Sequence, residues 1–148
     1  MNIHCWIILF HLFGASPSYN NKIIKRVLPK AHICERIYSE AKKQNVDPLL
    51  AISVAWHESR FKNVTSGKGA KGPMGVIPKY HCPKKGKCDY VKAGVSALKK
   101  FLGDDLCTSL AKYNRGLKGQ CKKGRSEYGY AKKVLKMYDF LLGCQYGC

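Results

Sequence analysis

The sequence predicts an all-α domain that carries a loop-rich or small β-hairpin insert and contains disulfide bonds. Three observations lead to this prediction. Apolar residues recur at helical spacing over most of the chain, whereas residues 63–89 lose that spacing and are rich in Gly, Pro and Lys. Eight cysteines occur among only 148 residues. A chain of this length forms one domain with a core of its own.

The N-terminal segment has the pattern of a signal peptide. Residues 1–18 contain no Lys, Arg, Asp or Glu, and residues 5–13 are almost entirely apolar. Mostly small residues follow over 14–18, and the apolar run is shorter than an ordinary transmembrane helix. We therefore expect residues 1–18 to be a signal peptide or an N-terminal anchor, and the protein to be secreted or periplasmic.

The next elements follow in chain order. Residues 19–30 form a basic N-terminal segment that Pro29 is expected to end, and apolar spacing predicts a helix over 31–44. Asp47 and Pro48 then predict the start of a second helix. An Asp side chain caps free backbone N–H groups, and proline suits the first helical position because it has no N–H to lose.

The second helix, residues 49–59, is apolar around nearly its whole circumference, which predicts a position at the centre of the domain. After the insert, helical spacing returns in three segments, at 91–102, 105–112 and 128–142. The folded domain is expected to span residues 31–148.

The cysteines indicate an oxidising compartment. Removal of a leader would remove Cys5 and leave seven, so that one thiol would be free or would form an intermolecular bridge. Cys82 with Cys88 is the first pair that we expect, because the two flank a Lys/Gly loop. Cys107 with Cys121 is the second, and each bridge would add about 2–4 kcal/mol of stability.

The charge balance is strongly basic, with 27 Lys and Arg against 9 Asp and Glu, a formal net charge of +18. Such a surface attracts polyanions, which include nucleic acid, anionic lipid and the acidic peptides and polymers of a cell wall. The leader, the cysteines and the lack of a recognised nucleic-acid motif count against nucleic acid. We expect the basic loops at 84–87 and 118–125 to contact anionic wall polymers or a membrane surface.

Glu58 is the candidate catalytic residue. It ends the most apolar helix, and apolar surroundings disfavour a charged carboxylate and raise its pKa. A Glu of this kind acts as a general acid that protonates a glycosidic oxygen. Ser59 could orient this carboxyl and Arg60 could bind an anionic substrate group; the alternative is a solvent-facing Glu at a helix end. No metal is expected, because Phe61 stands where a His-Glu-x-x-His zinc motif needs its second His.

Four segments extend this interpretation. His57–Phe61 is similar to a Glu-Ser-x-Phe signature, and Gly69–Pro78 is similar to a Gly-Ala-x-Gly-Leu-Met-Gln motif that ends in Pro. Leu110–Gly116 is similar to an Ala-Tyr-Asn-x-Gly block, and Tyr130–Leu135 resembles the start of a last helix. In this order, over about residues 31–142, they resemble the SLT-type lytic transglycosylase catalytic domain of the lysozyme-like superfamily.

The resemblance implies a lysozyme-like α-helical fold and cleavage of the MurNAc–GlcNAc β-1,4 bond of bacterial peptidoglycan. Glu58 would be the single catalytic acid/base. The 6-hydroxyl of the sugar would close a 1,6-anhydro ring, so that neither the second carboxylate of most glycosidases nor a cofactor is needed. Goose-type lysozymes share a similar core but use water, which leaves lysozyme-type hydrolysis open. The alternative from another class is a cationic wall- or nucleic-acid-binding protein without catalysis.

The resemblance also implies substrate-binding or orienting roles around Glu58. Ser59 would hydrogen-bond and position the acid, Met74 would line the glycan cleft, and Tyr130 would approach the carboxyl from the last helix. The expected partner is the peptidoglycan glycan strand, bound by a monomer.

Two further residues, Tyr113 and Asn114, would contact the sugar. The chain departs from the family at Gly75, where the family usually has a Gln that often helps to bind substrate. The resemblance therefore implies one substrate contact fewer at this position.

Overall fold

Helices make up most of the part of the chain that the computed structural model describes, which is residues 3–12, 21–103 and 105–144. The all-α prediction is confirmed, since 66% of the structure is helical and the described residues include no strand. The helices are α1 Ile3–Leu12, α2 Asn21–Lys43, α3 Pro48–Ser59, α4 Pro78–His81, α5 Tyr90–Phe101, α6 Leu106–Arg115 and α7 Ser126–Cys144. None of these described helices is both long and apolar enough to cross a membrane.

Helix α3 lies at the centre of the fold, as its composition predicts. Its start is also confirmed, because the Asp47 carboxylate accepts hydrogen bonds from the backbone N–H groups of Leu49 at 2.9 Å and Leu50 at 3.4 Å. Every residue over 49–56 is buried, and α2 and α7 both pack against this helix. The last turn of α3 is thereby held in a fixed position between its neighbours.

Helix α2 begins at Asn21, so the prediction that Pro29 ends a separate basic segment is wrong. Pro29 lies inside the helix, where its missing N–H removes one helical hydrogen bond. Val27 and Ala31, four residues apart on one face, are 2% and 0% exposed. Burial of this face stabilises the helix across the proline, because tertiary packing supplies most helical stability in proteins.

Three disulfides join described cysteines. Cys82–Cys88 and Cys107–Cys121 confirm the two predicted pairs. The third, Cys5–Cys34, was not predicted and ties α1 to α2.

Helix α1 therefore packs as part of the described structure. Cys5, Ile8 and Leu9 have no exposed surface. The expectation of an unpaired cysteine depended on the loss of Cys5, which is paired here. The region of the expected cleavage site, residues 14–18, lies outside the described residues, and the signal peptide stays a prediction.

The insert between α3 and α5 is a loop with two isolated β-bridges, Thr65–Lys71 and Lys71–Val76, and the short helix α4. These bridges fold the chain back on itself, so that a tight turn at 72–75 lies against the end of α3. The loop-rich insert was predicted from the sequence, whereas α4 was not. This turn is the element that completes the candidate site.

Candidate active site

Glu58 lies in the last turn of α3 and is half-buried. The helix ends at Ser59, and the C-cap residue Arg60 has a left-handed backbone with φ 56°. One carboxylate oxygen, Oε1, accepts a hydrogen bond of 2.8 Å from the hydroxyl of Tyr130 on α7. The central helix and the last helix therefore meet at this carboxyl, and Tyr130 approaches it from α7, as the resemblance implied.

The surroundings of Glu58 favour its protonated form. Burial raises the pKa of Glu58, and the hydrogen bond from Tyr130 lowers it by a smaller amount. The position near the C-terminus of α3 acts in the same direction as burial, because a helix C-terminus carries a partial negative charge. Glu58 consequently holds its proton to a higher pH than an exposed Glu does, which is what a general acid requires.

The two tyrosines of the site are hydrogen-bond donors over the whole physiological pH range. Burial, together with the neighbouring charge of Glu58, raises the pKa of Tyr113 and that of Tyr130 well above 10. Tyr130 donates to the carboxylate, whereas Tyr113 donates to the backbone oxygen of Met74 at 2.6 Å. Neither phenol is an acid at neutral pH, so Glu58 is the group here that can release a proton.

The turn at residues 72–75 is fixed beside Glu58 by side chains from two helices. The hydroxyl of Ser59 donates to the backbone oxygen of Pro73 at 2.7 Å and accepts a hydrogen bond from Lys62 N–H at 3.1 Å. Tyr113 holds the next carbonyl, that of Met74. Ser59 and Tyr113 therefore position the turn, and Ser59 acts on the surroundings of Glu58 rather than on the carboxyl itself.

Gly75 makes the closest approach of this turn to Glu58. Its backbone has φ +64°, which side-chain-bearing residues rarely adopt. A Cβ atom at this position would lie 2.7 Å from Oε2 of Glu58. Real Cβ atoms essentially never approach another heavy atom to within 3.0 Å. The carboxyl can stay where it is only because residue 75 has no side chain. The sequence indicated a missing substrate contact at Gly75 and did not indicate this steric requirement.

Met74 is buried, which contradicts the cleft-lining position that the resemblance implied, whereas Asn114 is exposed. Met74 has no exposed surface and packs against Gly94 of α5, where an added Cβ would lie 2.6 Å from Met74 Cβ. This position supports the turn from beneath and does not line an open cleft. Asn114 is exposed near the end of α6, one residue after Tyr113, and is free to meet a ligand from solvent.

The cysteines near Asp105 and His81 are in disulfides and are not available as metal ligands. Among the described residues, the one close group of three potential ligands is Asp105, Cys107 and Cys121. The two cysteines of this group form a disulfide with each other, as do Cys82 and Cys88 beside His81. A sulfur in a disulfide is not the thiolate that a metal ion binds.

No protein-family model, curated protein or solved structure matches the chain. The chemistry of the site follows from its own residues. Glu58 can deliver a proton to an oxygen atom that enters beside it and can take a proton back, and Tyr130 stabilises the ionised carboxylate between these two steps.

Proposed function

We propose that this protein cleaves the MurNAc–GlcNAc β-1,4 bond of bacterial peptidoglycan, with Glu58 as its single acid/base. The observation that carries the proposal is the half-buried Glu58 carboxyl, with its raised pKa, at the junction of α3, α7 and the 72–75 turn. The four segments that resemble lytic transglycosylases surround this carboxyl, and a lysozyme-like fold is part of the proposal.

The proposed reaction has two proton transfers at one carboxyl group. Protonated Glu58 donates to the glycosidic oxygen as the bond to the sugar's C1 breaks, and the N-acetyl group of the muramic sugar assists departure. The carboxylate of Glu58 then removes the proton of the sugar's 6-hydroxyl, whose oxygen bonds to C1 and closes the 1,6-anhydro ring. Glu58 ends protonated, so the cycle needs no second carboxylate and no cofactor.

Four other acidic side chains at helix N-termini have structural positions, which supports a mechanism with one carboxylate. Asp89 and Asp105 cap the N-termini of α5 and α6 with hydrogen bonds of 3.0 Å to backbone N–H groups, as Asp47 caps α3. Glu127 lies in the first turn of α7 and accepts a hydrogen bond from the N–H of Gln120. These charges stabilise the positive ends of their helices.

The basic surface and the disulfides support an extracytoplasmic role. Three disulfides and the lack of a membrane-spanning helix in the described residues are compatible with an extracellular protein. A net charge of +18 attracts the protein to anionic wall polymers, and the glycan strand is its proposed substrate. A cationic wall-binding protein without catalysis is the second candidate, because the same charge serves binding alone.

Mass spectrometry of the products released from purified peptidoglycan tests the proposal. The wild type should release muropeptides one water lighter than hydrolysis products, whereas reducing-end products would assign lysozyme-type hydrolysis. Glu58→Gln should fold normally and lose activity by about 10²–10⁴-fold, the usual contribution of a general acid. Asp139→Asn, which also removes one carboxyl from an exposed position on α7, is the matched control and should cut normally.

Two results would contradict the proposal. Near-normal cutting by Glu58→Gln would show that this carboxyl is not the acid. Binding of the folded wild type to walls without release of any product would favour the cationic binding protein.

A further inference from the structure

A cavity of about 440 Å³ lies between the end of α3 and the middle of α7. Trp56, Met137 and Phe140 give it apolar walls. Its volume lies within the range of pockets that bind small ligands.

The other residues that line this cavity are basic. Arg60, Lys133 and Lys136 are exposed around it, and His57 forms part of its wall. The guanidinium of Arg60 lies 4.6 Å from the centroid of the Trp56 ring, which is within the range of a cation–π contact. No carboxylate is among the described residues that line the cavity, so its charge favours an anionic ligand.

The cavity adjoins the candidate active site through His57. The His57 ring meets the ring of Tyr130 edge-on, with 5.0 Å between their centroids, and the Tyr130 hydroxyl holds Glu58. Burial, followed by the charges of Lys133 and Arg60, lowers the pKa of His57. The rings of His57 and Tyr130 would therefore connect a ligand in this cavity to the Glu58 carboxyl.

We propose that this cavity binds the short carboxylate-bearing peptide that the glycan strand carries, as a subsite for the acidic stem peptide. The inference rests on the proposed function, since it adds a peptide contact to the glycan site. Stem peptides combine methyl-bearing residues with free carboxylates, and the cavity combines apolar walls with three cations. A plain anion would use the cations alone, and a neutral apolar ligand would use the walls alone.

Charge reversal on α7 distinguishes the contribution of this subsite from that of the general basic surface. Lys133→Glu/Lys136→Glu places two negative charges at the cavity. Lys132→Glu is the matched control, because Lys132 is exposed on the same helix and does not line the cavity.

The experiment compares kcat/KM on two substrates, peptide-bearing strands and strands stripped of their peptides by an amidase. The wild type should prefer the peptide-bearing strands. The double variant should lower the ratio of kcat/KM on peptide-bearing strands to kcat/KM on stripped strands about tenfold, as expected for the loss of two solvent-exposed charge contacts. Lys132→Glu should leave this ratio unchanged. An equal ratio in the wild type and the double variant would overturn the subsite.

If neither the wild type nor any variant cuts either substrate, the proposed function is refuted. A direct binding measurement then still tests the subsite. The probe is the dipeptide L-alanyl-D-glutamate, titrated into the full chain with Trp6 replaced by Phe, so that Trp56 is the reporting fluorophore. A saturable fluorescence change that Lys133→Glu/Lys136→Glu abolishes would support the subsite. No change, or a change with a glycerol-phosphate oligomer and not with the dipeptide, would overturn it.

Discussion

The substitution Gly75→Ala tests whether the turn at residues 72–75 controls the position of the Glu58 carboxyl. Its effect on activity can be measured separately from its effect on the stability of the fold. In the structure the new Cβ would lie 2.7 Å from Oε2 of Glu58 and 3.2 Å from its carboxyl carbon. The Glu58 side chain is flexible and can move aside, so the clash itself costs little stability. The left-handed backbone at φ +64° adds about 1–2 kcal/mol for a residue with a side chain.

Movement of the carboxyl has a large consequence for activity. A displaced Glu58 loses its 2.8 Å hydrogen bond from Tyr130, and under the proposed function it also loses its alignment with the glycosidic bond. Misplacement of a catalytic group by about 1 Å can cost about 100-fold in rate. We therefore expect Gly75→Ala to lower the release of soluble muropeptides about 100-fold and the free energy of unfolding by about 1–2 kcal/mol.

Gly69→Ala is the matched control for this experiment. Gly69 lies in the same insert with φ +82°, and no heavy atom of the described residues lies within 4 Å of its added Cβ. It should lose about the same 1–2 kcal/mol of stability, measured by chemical denaturation, and keep its activity. Wild-type activity in Gly75→Ala, or an equal loss in Gly69→Ala, would refute the steric argument.

Three further substitutions address the carboxyl and its supports. Tyr130→Phe removes the hydrogen bond that lowers the pKa of Glu58, so the loss of activity at alkaline pH should move to a higher pH in a pH–rate profile. Ser59→Ala leaves the buried oxygen of Pro73 without its donor and should cost about 1–3 kcal/mol in denaturation experiments; unchanged stability would contradict this role. Glu58→Gln should raise the free energy of unfolding at pH 7 above that of the wild type, measured by the same method.

Local signals in the sequence predicted much of the fold correctly. The Asp47–Pro48 pair marked the start of α3 because capping depends on a few adjacent residues, and the Cys82–Cys88 and Cys107–Cys121 pairs close short loops. Features that depend on distant contacts were missed. Helix α2 continues through Pro29 because buried neighbours hold it, and Cys5 pairs with Cys34 across two helices.

The candidate site shows the same division. Glu58 could be found from the apolar helix that it ends, and the resemblance implied Tyr130. The partner of Ser59 could not be found, because the Pro73 carbonyl comes close only when the insert folds back. The burial of Met74 depends on Gly94, which leaves space for its side chain on another helix. Sequence spacing carries no information about either contact.

The placement of carboxylates along the helices explains why Glu58, unlike the three capping aspartates, should destabilise the fold when ionised. Asp47, Asp89 and Asp105 lie at helix N-termini, where partial positive charge favours them, whereas Glu58 lies near a C-terminus and is half-buried. Its pKa is raised in the folded state. As pH rises from the ordinary pKa of Glu to the raised one, the unfolded chain loses this proton while the folded chain keeps it, so stability falls. The advantage of Glu58→Gln should therefore be largest at neutral pH and disappear on acidification; an advantage that does not change with pH would mean that the substitution acts through packing rather than charge.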